Sequence, residues 1–216
     1  MITLEQAMAE VPVVAIIRGV RPEEVEDQAD ALFQGGIRIV EVPLNSPEPL
    51  DSIGRLASAW GDRLVCGAGT VLNVEAAEAV SQAGGRIMVS PDTRPAVIQR
   101  AVELGMVPMP GVGTATEVFQ AYDAGARHLK LFPASTYGPG HIKALKAVLP
   151  TDAVMLAVGG AGPSNMAEWW AAGARGFGLG SELYKPGQTP QETFEKAKVC
   201  ADVARELAAG VEAPRY

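Results

Sequence analysis

The sequence predicts an α/β fold: a closed (β/α)8 barrel of parallel strands, preceded by a short helix. Three observations predict it. Short apolar runs bounded by turn residues alternate with amphipathic helical stretches, glycine-bearing turns end most of those helices, and the alternation completes eight times within 216 residues. Each helix is then a crossover between parallel strands, and eight such units fit the compact end of the TIM-barrel fold.

The elements follow in order. A short helix over Thr3–Ala9 precedes the first strand, Val13–Arg18. The next helix starts at Pro22, a favoured first helical position, and stops near Gly35-Gly36. Ile37–Val42 is the second strand, and Ser46-Pro47 reads as the cap and first-turn proline of its helix. Leu64–Thr70 is the third strand, with Asn73 capping a helix that ends at Gly84-Gly85. Arg86–Ser90 is the fourth, and its helix runs from about Arg94 to Gly105. Met106–Pro110 is the fifth, followed by a Thr114/Glu117 capping box and a helix ending at Gly125. Arg127–Pro133 is the sixth, with a helix over Pro139–Leu149. Ala153–Val158 is the seventh, with Ser164 capping a helix that ends at Gly173. Gly176–Leu179 is the eighth, and Thr189, Pro190 and Glu192 open a long terminal helix.

An open doubly wound sheet is the competing architecture. No G-x-G-x-x-G turn follows the first strand and no acidic residue is placed to hold a ribose, so the barrel is preferred. With no linker or low-complexity segment, residues 1–216 read as a single domain. Its barrel spans 11–181, its terminal helix 190–209, and 210–216 is a frayed tail.

Composition narrows the function. The balance of 25 acidic to 18 basic residues gives a net charge of −7, which repels a nucleic-acid backbone but not a small phosphorylated substrate held by local donors. Cys66 and Cys200 have no framework spacing and read as reduced thiols. No basic residue precedes Arg18, and no signal-type or membrane-length apolar run occurs, so a cytoplasmic protein without membrane contact is expected.

Chemistry concentrates at one lysine. In the sixth strand His128, Lys130 and Phe132 share one face and Leu129 and Leu131 the other. With the leucines under the helices, Lys130 points into the barrel, where burial can release a neutral amine that attacks a carbonyl. The other five lysines (Lys143, Lys146, Lys185, Lys196, Lys198) lie in polar surroundings. The alternative is a strand-end lysine that snorkels to solvent.

Catalytic groups in such barrels sit at the C-terminal strand ends. Those positions hold Arg18, Glu41, Thr70, Pro91, Lys130, Val158 with Gly159-Gly160, and Gly178 to Ser181. A neighbouring arginine helps keep Lys130 unprotonated and can hold a substrate carboxylate, and Glu41 supplies the proton shuttle that imine chemistry needs. Thr70 is either a hydroxyl donor to that carboxylate or a cap before the next helix. Gly159-Gly160 and Gly178-Leu179-Gly180-Ser181 fall in the loops where barrels hold phosphate. Those glycines could instead serve only tight turns. With no lysine or arginine nearby, contacts to a phosphate would come mainly from the backbone. His128 and His141 show no metal-ligand spacing, and His128 reads as a lower-layer residue with a satisfied hydrogen bond. Trp169 and Trp170 read as packing residues on a helix.

These residues are similar to a known family. Ile17-Arg18-Gly19, the segment Glu41-Val42-Pro43-Leu44-Asn45-Ser46-Pro47, Gly67-Ala68-Gly69-Thr70-Val71, Ser90-Pro91, Leu129 to Pro133, Gly159-Gly160 and Leu179-Gly180-Ser181 resemble the class I KDPG/KDPGal aldolases. These cleave 2-keto-3-deoxy-6-phosphogluconate and its galactonate epimer. The resemblance implies Lys130 as Schiff-base lysine, Glu41 as general acid/base, Arg18 and Thr70 at the pyruvate carboxylate, and Gly159, Gly160, Gly178, Gly180 and Ser181 around the phosphate. It also implies a homotrimer, products pyruvate and glyceraldehyde 3-phosphate, a place in galactonate catabolism, and neither metal nor other cofactor.

Two positions separate the branches. Gluconate-type enzymes resemble E-V-T-L-R-T, where this chain has Asn45 in place of the arginine, and carry threonine where it has Val158. Valine cannot hydrogen-bond a substrate hydroxyl. Loss of a donor near C4 fits the galactonate epimer, and Asn45, Pro91, Phe132 and Val158 are the candidate specificity residues. The expected reaction is retro-aldol cleavage of 2-dehydro-3-deoxy-6-phosphogalactonate. The alternatives are the gluconate or a dual-epimer aldolase, a phosphate-binding barrel isomerase or synthase, and a non-catalytic phosphosugar-binding barrel.

Overall fold

The computed structural model describes residues 1–210, where strands and helices follow the predicted order with one divided strand and one additional short helix over Ala134–Tyr137; of the tail expected at 210–216, all beyond Gly210 lies outside the described residues. Helix α1 (Leu4–Glu10) leads to strand β1 (Val13–Ile16), and then follow α2 (Val25–Gln34), β2 (Ile39–Pro43), α3 (Pro49–Trp60) and β3 (Val65–Gly69). The middle of the chain forms α4 (Val74–Gln82), β4 (Ile87–Val89), α5 (Pro95–Glu103), β5 (Val107–Met109), β6 (Gly111–Val112) and α6 (Ala115–Asp123). The last part forms β7 (His128–Leu131), α7 (Ala134–Tyr137), α8 (Pro139–Lys146), β8 (Val154–Val158), α9 (Met166–Ala171), β9 (Phe177–Leu179) and α10 (Pro190–Ala208).

The strands pair in parallel in the order β5-β4-β3-β2-β1-β9-β8-β7-β6. β5 and β6 are the two halves of one chain segment around Pro110. Met109 pairs with Val89 on one side and Gly111 with Lys130 on the other, which closes the ring as a (β/α)8 barrel. The single fifth strand expected over Met106–Pro110 is therefore two short ones. Proline has no N–H for the ladder, so pairing changes neighbour at that residue, and Pro110 O instead accepts from Lys130 N–H at 2.9 Å.

Two apolar layers follow from strand alternation. Val14, Ile39, Val65, Ile87, Met109 and Leu156 fill the barrel interior, with Leu4 and Ala7 of α1 closing its N-terminal mouth. Leu129 and Leu131 face outward with Val13, Ala15, Val40 and Val42, and pack under the helices. Arg86 secures the closed mouth by donating to the carbonyls of Ile2 (2.7 Å), Gly61 (3.0 Å) and Leu64.

Capping boxes at Thr3/Gln6, Thr114/Glu117 and Thr189/Glu192, and the Asn73 cap, start four helices. Three predicted starts are corrected. The helix after β1 begins at Val25 and not Pro22, because Arg21 and Glu24 first close a turn through an ion pair and a backbone bond of 3.0 Å. The next begins at Pro49, since a residue before proline is pushed out of helical geometry and Glu48 has φ 38°. Ser46 does not cap that helix; its Oγ accepts from Gly19 N–H at 2.9 Å. Asn165, not Ser164, precedes α9, and its amide is used elsewhere. Both cysteines are free and buried.

Candidate active site

At the C-terminal ends of the strands lies a cavity of about 480 Å³. The strand-end residues singled out from the sequence line it, except Leu179, which packs under the helices: Arg18, Glu41, Thr70, Pro91, Lys130 and Phe132 together with Val158, Gly159, Gly160, Gly178, Gly180 and Ser181. Asn45, a candidate specificity residue, is exposed and does not line the cavity; its Oδ1 accepts from Arg18 Nη1. With the bond from Gly19 N–H to Ser46, this ties the loop after β1 to the loop after β2.

Lys130 is 7% exposed and Glu41 2%. Burial lowers the Lys130 pKa, the charge of Glu41 works against that shift, and Arg18 adds to it. The ammonium position lies 4.6 Å from the centre of the Phe132 ring. Burial pushes Glu41 up to about 7, against the pull of Lys130 and Arg18. Its Oε2 has no hydrogen-bond partner among the described residues. A carboxyl group poised near neutrality in one cavity with an amine biased toward its free base is an arrangement able to supply an acid and a nucleophile.

The local backbone makes this possible. Gly69 faces Glu41 so closely that a Cβ there would stand 1.5 Å from Oε2. Thr70, a β-branched residue, holds φ 59° in the left-handed region, a strained conformation that places its side chain at the cavity wall. Opposite, Gly159 O accepts from Ser135 N–H at 2.9 Å. Asn165 spans the glycine loop, accepting from Gly162 N–H at 2.9 Å and donating to Gly160 O at 2.8 Å.

The cavity also holds residues that sequence reasoning missed: Glu182, Tyr184, Lys185 and Pro186. Lys185 corrects the expectation that no cation stands near the glycine loops. The run Ser181-Glu182-Leu183-Tyr184-Lys185-Pro186-Gly187 has a visible turn signal, but no periodicity that tells which side chain faces inward. His128 is also corrected: its buried Nδ1 has no hydrogen-bond partner among the described residues, and it does not line the cavity. His141 bonds Gly113 O at 2.7 Å and stacks on Tyr137. Trp169 is buried, and Trp170 packs beside Phe177. Among the described residues no three His, Cys, Asp or Glu side chains cluster as a metal site.

Comparison with known proteins gives a consistent picture. The family described as KDPG and KHG aldolase matches residues 4–200. The 2-dehydro-3-deoxy-6-phosphogalactonate aldolase of Escherichia coli (strain K12) is 45% identical over 201 residues, covering 93% of this chain and 98% of that one. The "Probable 2-dehydro-3-deoxy-6-phosphogalactonate aldolase" of Rhizobium meliloti (strain 1021) is 48% identical over 186 residues, covering 86% and 88%. A solved structure described as native KDPGal superposes with a TM-score of 0.90 at 45% identity, covering 93% of this chain and 97% of that one.

Proposed function

Since this chain belongs to the KDPG and KHG aldolase family, class I enzymes that cleave a phosphorylated sugar acid through a Schiff base, we propose that its substrate is 2-dehydro-3-deoxy-6-phosphogalactonate and that Lys130 is the nucleophile. One observation carries the assignment of roles: a buried amine biased toward its free base shares a cavity with a buried carboxyl group whose pKa is about 7.

The free amine of Lys130 attacks the C2 ketone. Glu41, protonated at the start, gives its proton to the carbinolamine hydroxyl, which leaves as water. The iminium then accepts the electron pair of the C3–C4 bond, while the C4 hydroxyl proton passes to Glu41. Glyceraldehyde 3-phosphate departs, the enamine is protonated at C3, and hydrolysis frees pyruvate and the amine. The iminium is the electron sink, so the bond cleavage needs no Lewis acid. Arg18, held by Asn45, takes the carboxylate together with the Thr70 hydroxyl. Gly159, Gly160, Gly178, Gly180 and Ser181 take the phosphate. Val158, which offers no hydrogen bond, favours the galactonate configuration, and the galactonate names of the two relatives support that branch.

No helix among the described residues is long and apolar enough to cross a membrane, which fits a cytoplasmic enzyme. A homotrimer is the proposed assembly, and half-exposed Leu50 beside Leu44, Pro49, Ala76 and Ala79 supplies an apolar groove of the kind a second copy covers. The chemistry is tested by borohydride reduction in the presence of pyruvate. A reduced pyruvyl adduct is expected on the peptide carrying Lys130; its absence there, or its presence on another lysine, overturns the assignment.

A further inference from the structure

The segment after β9 contributes Ser181, Glu182, Tyr184, Lys185 and Pro186 to the cavity wall, and its turn is braced on both sides of Lys185. Leu183 and Tyr184 are buried, and both their amides bond Gly180 O, at 2.8 and 2.9 Å. Gln188 N–H closes onto Lys185 O at 3.0 Å, and its side-chain amide donates to Leu183 O at 2.9 Å. Pro186 packs against Gly19, which has φ 83°; a Cβ on Gly19 would lie 2.7 Å from Pro186 Cγ. The turn is thus fixed before and after Lys185, and Lys185 itself lines the cavity.

Lys146, Lys196 and Lys198 each donate to a partner within the chain, at 3.1, 2.6 and 2.7 Å. Lys143 and Lys185 make no such bond among the described residues, and of the two Lys185 alone lines the cavity. On the same wall the amides of Gly160, Ala161 and Ser181 have no acceptor among the described residues. Glu182 also lines the cavity, along Gly162, and it opposes an incoming anion. Backbone donors alone would therefore face a carboxylate when a phosphate approaches; a cation on the same turn offsets it.

We propose that Lys185 is the side-chain ligand of the substrate phosphate and sets the preference for a phosphorylated aldehyde over the free sugar. This deepens the reading above and rests on its placing of phosphate at the glycine loops. A charge-assisted contact with a dianion is stronger than a neutral one. The glycine loops supply direction, and Lys185 supplies charge.

The test runs the reaction in the synthetic direction, with pyruvate and either D-glyceraldehyde 3-phosphate or D-glyceraldehyde. In Lys185→Gln the ratio of kcat/KM for the phosphorylated over the unphosphorylated acceptor is expected to fall about tenfold. Lys185→Arg should keep the ratio within about twofold of the native value. Inorganic phosphate, used as a competitive inhibitor, should bind Lys185→Gln more weakly by a similar factor. An unchanged ratio in Lys185→Gln overturns the proposal, whether both acceptors slow equally or neither does. The pyruvate–borohydride adduct on native Lys130 is read separately. Its absence sinks the aldolase reading, whereas its presence with an unchanged ratio sinks only the role of Lys185.

Discussion

Replacing Gly69 with alanine tests how tightly the position of the Glu41 carboxyl group governs the reaction. The new methyl group would stand 1.5 Å from Glu41 Oε2 and 2.3 Å from its carboxyl carbon, where ordinary contact begins at 3.4 Å. The backbone has little freedom to retreat, because Gly69 pairs with Pro43 and its carbonyl accepts from Leu44 N–H at 2.8 Å. The carboxyl group must therefore swing away by about 2 Å. Misplacing a reacting group by roughly 1 Å costs on the order of 10²-fold, and losing a general acid–base costs about 10²–10⁴-fold. The kcat for pyruvate release, followed through lactate dehydrogenase and NADH oxidation, should fall at least about 10²-fold. Glu41→Gln should fall into the same range, and the Gly69→Ala/Glu41→Gln double variant should be little worse than Glu41→Gln, because the methyl group acts only through Glu41. Gly69→Ala retaining kcat within about threefold of native, or an additive double variant, would refute the reasoning.

Further outcomes follow from the same geometry. Between the ordinary value of 4.5 and about 7, folded Glu41 holds a proton that the unfolded chain has released, so its contribution to stability falls as pH rises through that window. Glu41→Gln does not titrate; its stability relative to native should climb across that window by about 3 kcal/mol in order of magnitude and then level, and a flat difference in urea unfolding counts against the shift. Thr70→Gly relieves the left-handed strain, about 1–2 kcal/mol, against about 0.5–1 kcal/mol of added unfolded-state entropy. Its melting temperature should rise slightly while KM for pyruvate increases, and a lowered melting temperature speaks against strain. Asn45→Ala frees the Arg18 guanidinium and should raise KM for pyruvate several-fold, by roughly 1 kcal/mol, with kcat nearly kept; an unchanged KM would show that Arg18 needs no second anchor. Val158→Thr keeps the shape but adds a donor, so the configuration formed at C4 from pyruvate and glyceraldehyde 3-phosphate should shift toward gluconate, and an unchanged epimer ratio leaves the residue without that role.

How much of this was legible in the sequence depends on what each residue's placement obeys. Lys130 and Glu41 lie inside short apolar strands, where alternation alone fixes which face a side chain takes. Their flanking leucines and valines faced the helices as expected, so an inward charge could be read directly. Pro110 reads as a strand end in sequence. Its actual effect, a change of pairing partner within one segment, depends on both neighbours and shows only in the closed ring. The cap at Ser46 failed because a hydroxyl twenty-seven residues from Gly19 in sequence found that amide instead. In sequence Lys185 reads as a polar loop residue, because its surroundings are set by Pro186 against Gly19 and by Gln188, contacts that no local pattern records. Thr70 reads from sequence as a strand-end residue, and it follows β3 directly, but its positive φ defies the propensity of a β-branched residue and is visible only in the backbone.

A single cause prepares both halves of the proposed chemistry. Lys130 and Glu41 could share their proton as an ion pair or as a neutral amine beside a neutral acid. Opposite charges attract, which favours the ion pair, and each group's charge does pull the other toward its ionised form. Yet for both groups the largest influence is the loss of water, which disfavours both charges at once. Arg18 then breaks the balance unevenly, disfavouring the lysine cation while favouring the carboxylate. The amine is pressed toward its free base by two influences, and the acid stays near neutrality under opposed ones. That is the order the reaction requires, a nucleophile ready before any proton moves and an acid able both to give and to retake one. Opening the cavity floor to water, for instance by shortening Met109 or Leu156 beneath the pair, should therefore weaken both groups together. The signature would be a Lys130–pyruvate adduct that forms only at higher pH; a variant that admits water yet keeps the native pH profile would show that Arg18, and not dryness, sets the state of the pair.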